Sequence, residues 1–214
     1  MLSTPAASLS LHARLREATA DAHAQLESLL GLLDSPMSYT RFVAVLMRFH
    51  GFHRAWEPAL ARALQDEAFT APRQRLALIE HDLRALDIDD LDIEALPVVP
   101  EAAQLCRTLE GALGSLYVME GSTLGGRVIT RRLLADADWC PAEGLLYFHP
   151  YGDLTGERWR QTLALLSTVP PQRQQAVVDG ALATFALLLQ WLEPAVVVPD
   201  HGEDDPSSEW GVAL

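Results

Sequence analysis

The chain has 214 residues, 49% of them hydrophobic and 21% charged, a composition that fits one globular domain able to bury a full core without disulfides or metals. The formal net charge of -13 argues against a nucleic-acid binder, which needs a basic face. All 16 basic residues are Arg, so Schiff-base chemistry and a P-loop lysine are excluded, and any anion must be held by Arg, His, backbone N–H groups or hydroxyls. Cys106 and Cys140 have no metal-ligand spacing and read as reduced, structural thiols of a cytoplasmic protein. The uncharged runs fall short of the roughly 20 apolar residues needed to span a bilayer. The N-terminal MLSTPAASLSLHARL has neither the basic nor the apolar region of a secretory signal.

The periodicity is helical along the chain. Leu11, Leu15, Ala18, Ala22, Leu26, Leu29 and Leu33 form one stripe, with Ser10 as N-cap and Pro36 beyond the end. A second helix opens after Ser38 and places Tyr39, Phe42, Leu46, Phe49, His53, Trp56 and Leu60 on one face, with bends expected at Gly51 and Pro58. A third runs from about Pro72 to Leu86. The acidic stretch DIDDLDIEALPVVP reads as a surface connection. A fourth helix starts near Glu101, carries Leu105, Leu109, Leu113, Leu116 and Tyr117, and runs into EGSTLGG, after which Val128, Ile129, Leu133 and Leu134 resume the pattern. Residues 136–156 read as loop. A fifth helix covers about Glu157–Leu166, and a sixth opens at Pro170–Pro171 and ends near Leu192, before Pro194. The last residues form an acidic tail, free or docked through Trp210. The fold class is all-α: an N-terminal arm (1–9), one helical domain (10–195) and a tail (196–214).

Two places carry chemistry. His23 lies on the border of the first stripe, facing a groove, with Glu27 four residues on along the same face. A carboxylate on the second ring nitrogen fixes the tautomer and raises basicity, as metal ligation favours; the same spacing also makes an ordinary surface ion pair. Thr19 and Arg16 precede it on that face. In EGSTLGG, Gly121, Gly125 and Gly126 should kink a helix and strip bulk from one side, because each glycine costs about 1 kcal/mol in a helix interior. That side is either a ligand wall or a helix-packing seam. Among weaker signals, His53 on the core stripe reads as a satisfied core histidine. Arg158 and Arg160 around Trp159 could grip a carboxylate.

Taken together, LREATADAHAQLE, LYVMEGSTLGGRVI, GERWRQTLALLS and FALLLQWLEP resemble the heme oxygenase family over residues 10–193. The EGSTLGG form, with PYGDLTGERW after it, is similar to the bacterial members associated with bacteriophytochromes. The resemblance implies a single-domain multi-helix bundle with heme between an N-terminal proximal helix and a glycine-kinked distal helix. It implies His23 as proximal iron ligand and Glu27 as its support. Arg16, Arg158 and Arg160 would bind propionates, Thr19, Tyr117 and Gly126 would line the heme, and Gly121, Ser122 and Gly125 would form the catalytic distal face. Many members carry an Asp where this chain has Ser122, a hydroxyl that supplies no charge, which leaves the proton path unassigned.

The activity so implied is oxidative opening of heme b, both cofactor and substrate, to biliverdin IXα, CO and Fe2+ with O2. Electrons would come from an external ferredoxin or NAD(P)H reductase, since no flavin or nicotinamide motif is present. A bacteriophytochrome would be the user of the product, with no nucleic acid or membrane as partner. Two alternatives compete. One is a heme-binding carrier without turnover, kept open by Ser122. The other is a helical interaction module in which EGSTLGG is only a seam.

Overall fold

The computed structural model describes residues 9–33, 37–141 and 145–196, and every regular element in them is helical. The first helix, α1 (Leu11–Leu30), starts where Ser10 Oγ accepts from the Ala13 N–H and ends at Gly31, whose φ of 56° is left-handed, a conformation that glycine takes without a Cβ clash. Arg41 completes the cap by donating from Nη2 to the Leu29 and Leu30 carbonyls at 3.1 and 3.2 Å. The helix therefore stops short of the expected Leu33. Its buried positions are Leu11, Leu15, Thr19 and Leu30; Ala18, predicted on the stripe, is exposed. Around this interruption Thr19, Ala20, His23 and Leu26 line a cavity.

The second helix, α2 (Tyr39–Leu64), is capped by Ser38 and buries Phe42, Leu46, Phe49, His53, Trp56 and Leu60 as its periodicity predicts. Pro58 lies within it. Gly51 serves close packing: a Cβ there would overlap the Pro97 carbonyl, and the Gly51 carbonyl accepts from Val99 N–H at 3.4 Å.

Two expected helices are broken. The third becomes a 3₁₀ turn (Ala71–Arg73) and α4 (Leu76–Ala85), preceded by an unexpected short helix, α3 (Glu67–Thr70). The break falls where the Arg75 and Leu76 N–H groups turn to Glu57 Oε1, at 2.7 and 3.0 Å. The acidic connection contains α5 (Asp90–Ala95), capped by Asp89. The fourth splits into α6 (Glu101–Gln104) and α7 (Leu109–Gly121), the latter started anew by Thr108 accepting from Gly111 N–H at 3.1 Å. Ser122 alone then separates α7 from α8 (Thr123–Asp136). After a loop and a 3₁₀ turn (Gly152–Leu154) come α9 (Thr155–Ser167), a 3₁₀ turn (Pro171–Arg173) and α10 (Gln174–Val196), which continues past Pro194.

The centre of the bundle is the α7–α10 pair. Side chains at Gly114 and Gly180 would collide with backbone across the seam, Gly180 with Gly111 Cα at 2.8 Å and Gly114 with Val177 and Ala181. The two helices therefore meet backbone to backbone. The segment Pro171–Val196 is long and apolar enough to cross a membrane by length and composition. In this fold Val177, Ala181, Phe185, Leu188 and Leu192 belong to the protein's own core. The N-terminal arm and the acidic tail with Trp210 lie outside the described residues.

Candidate functional site

Between α1 on one side and the α7–α8 junction on the other lies a cavity of about 1010 Å³, at the upper end of the roughly 300–1,000 Å³ of small-molecule pockets. On α1 its wall is His12, Arg16, Thr19, Ala20, His23, Leu26 and Glu27; opposite are Met119, Gly121, Ser122, Leu124 and Gly125. Phe49, Tyr117, Phe148, Trp159, Phe185 and Leu188 close the sides, and Arg75 and Tyr147 the back.

His23 stands at the mouth. Its Nδ1 is 3.4 Å from Glu27 Oε2, with the two side chains 55% and 70% exposed, and its ring sits edge-on to Phe185, 6.0 Å between centroids. With Nδ1 turned to Glu27, Nε2 is the nitrogen left for a ligand. Arg16 is seven residues earlier on α1, about 10 Å along the axis at 1.5 Å per residue. There His12 packs edge-to-face on Trp159 and Tyr117, at 5.9 and 6.3 Å. Burial pushes the Tyr117 hydroxyl up against the opposing pull of Thr19 and Arg16. The wall is thus apolar in the middle and cationic at one end, and carries two imidazoles: His12, packed on Trp159 and Tyr117, and His23, beside Glu27.

The opposite face exposes backbone at two glycines. A Cβ on Gly125 would meet nothing within 4 Å, and one on Gly121 only the Trp159 ring at 3.7 Å. Ser122 Oγ donates to the Met119 carbonyl at 2.7 Å. Gly126 does another job: a Cβ there would strike the Phe148 carbonyl, so this glycine seats the 145–148 segment on α8 and is not in the cavity wall. Glu120 in the same motif forms a buried ion pair with Arg73 at 3.3 Å and accepts from Tyr151 O–H at 2.6 Å. EGSTLGG and PYGDLTGERW are therefore joined physically, through Glu120 and Tyr151.

The structure brings His23, Glu27, Arg16, Thr19, Tyr117, Gly121, Ser122 and Gly125 to one cavity. It does not bring Arg158 and Arg160 there. Arg158 lies 6.0 Å from the Tyr151 ring, and Arg160 Nε donates to the Gly156 carbonyl at 3.3 Å. On a helix, residues on either side of one that faces a ligand point away from it, and Trp159 is the one facing inward.

Sequence reasoning missed Arg75, Tyr147, Glu57 and Asp82. Glu57 Oε1 takes the Arg75 and Leu76 amides and lies 2.8 Å from His53 Nδ1. His53 Nε2 lies 3.1 Å from the Tyr147 hydroxyl. Arg75 Nη2 donates to the Met119 carbonyl at 2.8 Å, and Asp82 accepts from the Leu146 and Tyr147 amides at 2.9 and 2.7 Å. The only local signal was HRAWE, which repeats the His-to-Glu spacing of HAQLE.

The residues present fit a flat metallomacrocycle bearing carboxylates. Among the described residues no group of three or more His, Cys, Asp or Glu could hold a bare metal ion, so a metal at His23 must bring its other ligands with it. The side-chain-free face at Gly121 and Gly125 admits a ring, and Arg16 answers an acid edge.

The heme oxygenase family model matches residues 9–194. Among curated protein sequences none matches the chain. Solved structures share the fold, among them three heme oxygenases. The NO- and CO-bound heme oxygenase from Neisseria meningitidis has 21% identity and a TM-score of 0.67, with 94% of this chain and 99% of that one covered. The heme oxygenase from Leptospira interrogans has 17% identity and a TM-score of 0.72, covering 87% and 100%. Heme oxygenase-1 from the cyanobacterium Synechocystis sp. PCC6803, in complex with heme, has 16% identity and a TM-score of 0.67, covering 87% and 92%. With the family model spanning the whole helical domain, this chain belongs to the heme oxygenase family.

Proposed function

We propose that the protein binds heme b through His23 and opens it with O2 to biliverdin IXα, CO and Fe2+, on electrons from a ferredoxin or NAD(P)H reductase. The observation that carries this reading is the pairing of one available imidazole nitrogen with a glycine face across a cavity of ring size. Heme supplies the iron that activates dioxygen and the carbon skeleton that is opened. The chain does the rest. Glu27 orients His23 and makes it a better donor. Arg16 holds the carboxylate edge and so sets which side of the ring faces inward, with His12 and Thr19 beside it. Gly121 and Gly125 leave room above the iron. Arg158, half-buried, and Arg160, exposed, remain in the proposal only as cations on α9 near this end. A cytoplasmic location, resting on the two cysteines without metal-ligand spacing, and a bacteriophytochrome as user of the product, resting on the sequence resemblance, complete it.

One observation favours a second reading, a heme carrier without turnover: the Ser122 hydroxyl proton is committed to the Met119 carbonyl, so it is not free to serve the cavity. Adding hemin and then a ferredoxin reductase system in air separates the two. Under the first reading a Soret band forms and decays into the broad red absorption of biliverdin, and His23→Ala abolishes the normal ferric spectrum with most of the turnover. A Soret band that persists under reductant selects the carrier. His53 cannot replace His23 as it stands, because both its ring nitrogens are engaged.

A further inference from the structure

One hydroxyl in the cavity wall has its hydrogen-bond direction dictated from behind. Tyr147 lines the cavity with its oxygen 3.1 Å from His53 Nε2. Behind it, His53 Nδ1 is 2.8 Å from Glu57 Oε1, the oxygen that also accepts the Arg75 and Leu76 amides. Backbone amides only donate, so this oxygen is an acceptor. Burial pushes the Glu57 carboxyl up, but His53 and Arg75 together outweigh it and hold the group ionised. The hydrogen between Glu57 and His53 therefore sits on Nδ1. Burial in turn keeps His53 neutral. A neutral imidazole with Nδ1–H has a bare Nε2, and only the Tyr147 O–H is there to fill it. The lone pairs of the Tyr147 oxygen are what remain for the cavity.

We propose that Tyr147 is a hydrogen-bond acceptor in the heme site, its polarity fixed by the buried Glu57–His53 pair, and that it holds a protic guest such as water in the cavity. The proposal rests on the heme reading above. A complementary donor is next to it. Arg75 is 2% exposed, its guanidinium carbon is 5.3 Å from the Tyr147 ring centre, and its Nε is buried without a partner. An acceptor and a cationic donor side by side supply the two or more polar contacts that a buried water needs. The titratable and charged groups facing His53 are Glu57 and His50 from α2, Arg75 from the turn before α4, and Tyr147. Asp82 is a positioning residue: gripping the Leu146 and Tyr147 amides, it sets where the hydroxyl stands. The arrangement also stores a proton. When the guest's O–H bond breaks and its proton joins the Tyr147 oxygen, the phenol's own proton moves to His53 Nε2. The resulting imidazolium lies against the Glu57 carboxylate, and the reverse returns the proton.

The test has a heme-free arm and a heme-loaded arm. In the apo protein, histidine-selective 15N NMR should show His53 protonated at Nδ1 and bare at Nε2; the opposite tautomer overturns the proposal. In the ferric heme-loaded protein, absorbance against pH gives the midpoint at which iron-bound water becomes hydroxide. An acceptor stabilises the water form, so Tyr147→Phe should lower the midpoint, shifting the equilibrium about three- to tenfold toward hydroxide, the range of one net hydrogen bond. His53→Leu frees the Tyr147 O–H to donate to hydroxide and should lower it further. A midpoint raised or unchanged by Tyr147→Phe overturns the proposal. Failure of the wild type to take up hemin would strike the heme reading alone, because the tautomer is measured without heme. Should either variant not fold, the wild-type spectrum still decides the polarity.

Discussion

His23–Glu27 and His53–Glu57 are the same pair at the same helical spacing, and burial alone makes them different devices. The first, 3.4 Å apart and mostly in solvent, keeps one nitrogen available. The second, 2.8 Å apart and buried, has none to spare and serves as the backing of Tyr147. Burial lowers the pKa of both His53 and His50 from the ordinary 6.5. The unfolded chain therefore binds more protons than the folded one between the lowered folded values and 6.5, and stability rises with pH across that window. On acidification below pH 6.5 the apo protein should lose up to about 1.4 kcal/mol per pH unit for each such histidine. Thermal melts from pH 7.5 to 5 check this, and His53→Leu should flatten the slope; an unchanged slope would mean that His53 is not the proton-linked group. The thiols take no part in such effects: burial pushes Cys106 up to about 11.

At the scale of elements, adjacent glycines of EGSTLGG do opposite work, and the same substitution separates them. Gly125→Ala adds a methyl that meets nothing within 4 Å and removes a glycine from the first turn of α8, so the apo protein should gain stability, by less than the roughly 1 kcal/mol of a helix interior, while hemin affinity falls. Gly126→Ala drives a methyl into the Phe148 carbonyl and should cost roughly 1–3 kcal/mol, as overpacking does. Denaturant unfolding of both against the wild type reads the sign directly. The helices themselves were legible because their apolar spacing is local, and so were the Ser10 and Ser38 caps. The breaks before Leu76 and Leu109 were not. In the first, Glu57 reaches across to take two amides, a bond between residues 18 and 19 positions apart. The same limit explains the site. HAQLE and EGSTLGG announce themselves within one turn of helix, whereas Tyr147 is 94 positions from His53 and 65 from Asp82. Arg158 and Arg160 stand outside the cavity lining by helical phase, the inward position being the tryptophan between them.

For the molecule as a whole, the cavity lies between α1 and the α7–α8 junction, and a guest bound there should couple its two walls. Ligand at 100 times its dissociation constant adds about 2.7 kcal/mol to a two-state fold. Hemin should therefore raise the melting temperature of the wild type in a concentration-dependent way and leave that of His23→Ala nearly unmoved. Equal shifts in both would place the binding energy elsewhere than at His23. The α7–α10 seam decides how the two walls can part. Where Gly114 and Gly180 press backbone on backbone, neither helix can slide without collision, so this pair behaves as a fixed anvil. Arg14 on α1 donates to Gln174 and Gln175 of α10 at 3.2 and 2.7 Å, so the α1 wall is fastened to the same anvil.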